Sequence, residues 1–110
     1  MQGWIDLSSI EQFKELLEKS STQTVVIFKH STRCSISSMA QRRLSELNTQ
    51  SLSGIFCYLD LIAHRDVSNF ISESLQETHE SPQILIVKKG VCTYDASHME
   101  ITAKEIMENI

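Results

Sequence analysis

The sequence predicts an α/β fold, a central mixed β-sheet flanked by helices, in the order β-α-β-α-β-α-β-β-α. Three observations carry this prediction. Short apolar runs at 25–28, 55–59 and 84–87 alternate with segments whose apolar residues recur at helical spacing. The first two runs read as strands buried on both faces, as when helices cover a parallel sheet. Finally, Lys89-Gly90 separates two strand-like runs and marks a terminal hairpin, which adds antiparallel strands. Strand–helix alternation demands right-handed crossovers and parallel pairing in the first part of the chain. At 110 residues the expectation is one domain over 1–110.

Each element has its own justification. Trp4, Ile5 and Leu7 form a short strand or extended lead-in. Ser8 and Glu11 fit the S-x-x-E pattern that caps a helix, and Ile10, Phe13, Leu16 and Leu17 follow at helical spacing. After a turn at 20–23, Val25 to Lys29 or His30 is the second strand. The helix opening at Cys34 is expected to carry Ile36, Met39, Ala40, Leu44 and Leu47 on its apolar face and to stop near Asn48, with Arg42, Arg43 and Glu46 largely turned away. Residues 55–61 form the third strand, with Asp60 at its closing turn, and Val67, Phe70, Ile71 and Leu75 mark a helix over roughly 65–77. The only proline, Pro82, precedes the strand at 83–88, which returns as 91–94. A last helix near 102–109 has Thr102 and Glu105 as a second capping pair.

Composition excludes several functions. The net charge of -4, with charges of both signs interspersed, argues against a nucleic-acid surface. No apolar run approaches the roughly 20 residues that span a bilayer. The N-terminus lacks a basic region followed by an apolar stretch, so a reducing, cytoplasmic setting is expected. Cys34, Cys57 and Cys92 are too few and too scattered for a disulfide framework. None has metal-ligand spacing, and His64, His79 and His98 add none, so no metal is expected.

The chemistry concentrates at 25–40. A buried strand delivers Cys34 to the mouth of a helix, where free backbone N–H groups and the helix dipole stabilise a thiolate. Arg33 adds a positive charge, His30 adds another if protonated, and Ser37 can aim its hydroxyl or N–H back at the sulfur. Cys57, among Ile, Phe, Tyr and Leu, reads as a small buried hydrophobe. Cys92, in the hairpin, is a packing residue or, if exposed, a resolving thiol.

This order, with a cysteine after the second strand and Ser81-Pro82 before the hairpin, resembles the thioredoxin fold over nearly the whole chain. His30-Ser31-Thr32-Arg33-Cys34-Ser35-Ile36-Ser37 resembles the T-x-C-P-I-S region of the monothiol bacilliredoxins, thioredoxin-like proteins of bacteria that use bacillithiol. Ser35 departs from that pattern, in which proline is common. The resemblance implies a cis Pro82 packed against the active-site sulfur, and a Ser81 backbone that hydrogen-bonds an extended thiol substrate. It further implies thiol–disulfide exchange through Cys34 on bacillithiolated proteins, with no bound cofactor and bacillithiol as the thiol co-substrate. Free bacillithiol, another low-molecular-weight thiol or a thioredoxin-type reductant would restore Cys34. Ser37 stands where a dithiol motif has its second cysteine, and an oxygen cannot close a disulfide. Two other readings remain at this level: a non-catalytic partner-binding module of the same fold, or a redox sensor built on Cys34.

Overall fold

The computed structural model describes all 110 residues. Five strands form one sheet: β1 (Ile5–Asp6), β2 (Val25–His30), β3 (Ile55–Asp60), β4 (Gln83–Lys88) and β5 (Val91–Ser97). Their order across the sheet is β1-β3-β2-β4-β5. β1 and β2 run parallel to β3, whereas β4 is antiparallel to both β2 and β5. The mixed sheet is thus the one the sequence implies, and every residue of central β2 is buried.

Four helices cover the two faces: α1 (Ile10–Lys19), α2 (Ser35–Leu44), α3 (Arg65–Leu75) and α4 (Ala103–Asn109). Strand alternation splits the core accordingly. Val25 and Ile27 point with Phe13, Leu16, Val67 and Ile71 into the α1/α3 layer. Val26 and Phe28 point with Ala40, Leu44, Ile101 and Ile106 into the α2/α4 layer. No helix is long and apolar enough to cross a membrane.

Local chemistry shifts several boundaries. Helix α1 is capped by Ser9, not Ser8: the Ser9 hydroxyl accepts from Gln12 N–H at 3.1 Å. Gln12 takes the part expected of Glu11, accepting from Ser8 N–H at 2.9 Å and donating to the Asp6 carbonyl at 2.8 Å. At α4, Thr102 caps as its pattern implies, accepting from Glu105 N–H at 3.2 Å. Helix α3 ends at Leu75, where Gln76 turns left-handed at φ 56°. The β4–β5 turn has positive φ at both Lys89 and Gly90, as a tight hairpin requires. Ser20 ties that turn to the end of α1, its carbonyl accepting from Lys89 N–H and its hydroxyl from Gly90 N–H.

Helix α2 departs most from expectation. It stops at Leu44, although Leu47 still reaches the core through a following turn. Its buried face is Ser37, Ala40 and Leu44, while Ile36 and Met39 are exposed. The small side chains of Ser37 and Ala40 let the helix lie close on the sheet, which leaves the bulkier residues outside.

Candidate active site

Cys34 is the N-cap of α2, in extended conformation at φ −111° and ψ 124°. Its own N–H donates to the Ser31 carbonyl at 3.2 Å, closing the loop after β2. Its carbonyl accepts the first helical bond, from Ser38 N–H at 3.0 Å. The N–H groups of Ser35, Ile36 and Ser37 have no protein partner, so the helix offers unspent donors and the positive end of its dipole at the cysteine. The thiol is half-buried and free; Arg33 beside it is exposed.

Behind the loop the structure assigns His30 and Ser37 to each other. Ser37 Oγ lies 2.6 Å from His30 Nδ1 and accepts from Ser31 N–H at 3.0 Å. The hydroxyl expected to face the sulfur is therefore committed to the histidine and the loop backbone. Nor does His30 end the strand at the surface: it is 3% exposed and packs on Phe28 and Tyr58, with ring centroids 5.5 Å from each. Burial pushes the imidazole below its ordinary range, against an upward pull from Asp60, so the ring is neutral at pH 7. A second positive charge beside Cys34, expected for a protonated His30, is absent there. The His30–Ser37 pair instead fixes the shape of the loop that presents the thiol.

Sheet register brings in the distant segment. Lys29 pairs with Gln83 in antiparallel β2–β4, and the Ser81-Pro82 step comes immediately before Gln83 in the chain, as Ser31 and the Cys34 loop follow Lys29-His30. The Ser81–Pro82 peptide is cis, Pro82 is buried, and the Ser81 hydroxyl is buried without a hydrogen-bond partner. The Pro82 carbonyl accepts from His98 N–H at 3.2 Å. His98 itself is left-handed at φ 54°, and its imidazole approaches the Glu80 carboxylate at 3.9 Å.

The other thiols stand apart. Burial pushes Cys57 up to about 12, which leaves it a packing residue. Cys92 pairs with Val87, which pairs with Val25, so it lies at the opposite end of β2 from Cys34, about 16 Å away along the strand. It packs against the α1/α3 layer, donates to the Tyr94 carbonyl at 3.3 Å, and is pushed up to about 11 by burial and by Glu77. This placement gives no support to the resolving role considered for Cys92. No cluster of His, Cys, Asp and Glu side chains is arranged to hold a metal ion.

Three residues escaped the sequence reading. Lys29 is completely buried, Gln83 beside it is buried, and His98 adjoins Pro82. The only signal for Lys29 was a charged residue closing an apolar strand, which reads equally as a strand end.

Comparison with known proteins agrees with this architecture. Among solved structures, a candidate oxidoreductase with a thioredoxin fold superposes with a TM-score of 0.86 at 28% identity, covering 97% of this chain and 93% of that one. Reduced Schistosoma mansoni thioredoxin pre-protein matches at TM-score 0.76 and 20% identity, covering 99% and 100%. Oxidised mitochondrial thioredoxin 3 of Saccharomyces cerevisiae matches at 0.74 and 19%, covering 94% and 92%. These likenesses establish the thioredoxin fold. The family described as monothiol bacilliredoxin BrxC matches residues 5–106. The chain therefore belongs to the monothiol bacilliredoxin family, a thioredoxin-fold group whose work is thiol–disulfide redox chemistry.

Proposed function

We propose that this protein removes bacillithiol from protein mixed disulfides by a monothiol mechanism through Cys34. The observation that carries the reading is a single free thiol at the N-terminus of α2, with unspent N–H donors around it and no second thiol within reach. The Cys34 thiolate attacks the bacillithiol sulfur of a protein–S–S–bacillithiol bond. The protein leaves as its thiolate and takes up a proton, and a Cys34–bacillithiol disulfide forms. A second bacillithiol, or a thioredoxin-type reductant, then attacks that disulfide and frees Cys34; with bacillithiol the product is its symmetrical disulfide. Exposed Arg33 supplies positive charge for an anionic thiol, and the Ser81 backbone before Pro82 offers hydrogen bonds to an extended substrate.

The test is mass spectrometry after exposure to bacillithiol disulfide, followed by turnover of a bacillithiolated protein. One added bacillithiol on Cys34 is expected, with none on Cys34→Ser. Labelling spread over Cys57 and Cys92 would count against a dedicated site. Stoichiometric labelling without repeated turnover would favour a redox sensor.

A further inference from the structure

Lys29 is the one lysine with no exposed surface. It alternates with Phe28 and His30 along β2, so its stem enters the α1/α3 layer, away from Cys34. Its ammonium meets no carboxylate. Nζ donates to the Ser68 carbonyl at 3.2 Å, to Ser72 Oγ at 2.9 Å and to His79 Nδ1 at 3.4 Å, which uses all three of its protons. Ser68 Oγ lies 3.3 Å from the same His79 nitrogen. An ammonium only donates, so His79 must accept at Nδ1 and hold its own proton on Nε2.

His79 belongs to the segment that runs from α3 to Ser81-Pro82. The register partner of Lys29 grips that segment as well. Gln83 Nε2 donates to the Thr78 carbonyl at 3.0 Å, and Gln83 Oε1 accepts from Glu80 N–H at 3.3 Å. Thr78, His79 and Glu80 are thus held in succession by two buried polar side chains that are neighbours in the sheet. Burying an unpaired charge is costly, and an apolar side chain of similar length would avoid that cost. The contact with His79 is what the charge achieves in return.

We propose that Lys29 is a positioning residue for the substrate strip: through His79 it sets where Ser81-Pro82 lies relative to the Cys34 loop. Lys29 and His79 touch neither the sulfur nor the substrate. The proposal rests on the thiol-exchange reading above. Loss of the contact should therefore weaken substrate capture and leave the reactivity of Cys34 alone.

Lys29→Met and His79→Ala are compared with the wild type on a bacillithiolated peptide, together with the rate of Cys34 alkylation by iodoacetamide. KM should rise about five- to tenfold, the size of one lost hydrogen bond. kcat and the alkylation rate should stay within about twofold, inside the ordinary scatter of such effects. His79→Asn, whose side-chain oxygen can replace Nδ1 as acceptor, should restore KM. Folded variants with wild-type KM overturn the proposal, as does a joint fall in KM, kcat and alkylation rate. His79 is exposed, so its variants remain informative if Lys29→Met does not fold. Should the wild type itself not turn over, the thiol-exchange reading fails separately. Amide hydrogen exchange over residues 78–83 then decides: faster exchange in His79→Ala supports the contact, and unchanged exchange overturns it.

Discussion

Ser35 is the residue at which this chain departs from the proline of its family pattern, and the backbone around it would accept that proline. Cys34 sits at φ −111° and ψ 124°, the extended region that a residue before proline favours. Ser35 is the first helical residue, exposed, and its N–H has no protein partner. Ser35→Pro should therefore raise stability by about 0.5–1 kcal/mol, chiefly by restricting the unfolded chain. Thermal denaturation should show a rise of a few degrees. The same change removes one of the N–H donors at the thiol, so alkylation of Cys34 should slow while Tm rises. A fall in Tm would mean that the serine N–H serves a contact the proline cannot make. Two residues on, Ser37 shows how one hydroxyl can hold a loop in shape, through Ser31 N–H and His30.

At the scale of elements, caps and small side chains decide where helices sit. Both Ser8 and Ser9 precede α1, and only the Ser9 hydroxyl bonds an otherwise orphaned N–H of the first turn. Ser9→Ala should cost about 1 kcal/mol in chemical denaturation. Ser8→Ala should cost almost nothing, because only the Ser8 backbone is used, by Gln12. Equal costs would return the cap to the register with Glu11. In α2, periodicity placed Ile36 and Met39 on the buried face with Ala40 and Leu44, whereas the structure buries Ser37 beside Ala40 and Leu44 and leaves Ile36 and Met39 outside. The result leaves apolar side chains exposed on the helix that carries the thiol.

For the whole molecule, buried Lys29 writes a pH signature into stability. Burial lowers it from the ordinary 10.5 to about 8. Between those values the unfolded chain holds the proton that the folded protein has released, so stability rises with pH, by about 1 kcal/mol from pH 8 to 9. Cys57 and Cys92 act in the opposite sense above about pH 9, because their folded thiols keep protons that the unfolded ones lose. The difference between wild type and Lys29→Met isolates the lysine. Denaturant unfolding at a series of pH values should show wild type gaining on the variant as pH rises through 8. A flat difference would mean that folded Lys29 keeps its proton throughout this range, as the unfolded chain does, and that burial does not lower it.

Much of this protein was legible along the chain. Strand runs, helical spacing, the Lys89-Gly90 turn and Cys34 at a helix start are local patterns, and local patterns carry the sheet, the layers and the thiol at the mouth of α2. Contacts between segments far apart in sequence were decided by tertiary structure alone. His30 and Ser37 read as two independent neighbours of Cys34, yet folding buries the ring and commits each to the other. Lys29 read as the end of a strand, but central β2 is covered on both faces, and the lysine finds its partners on α3 and at His79. Cys92 read as a possible second thiol, and the hairpin register places it at the far end of the sheet. Periodicity shows which residues an element could bury. Which of them it does bury, and what a buried polar group then bonds, depends on neighbours that only the packed sheet supplies.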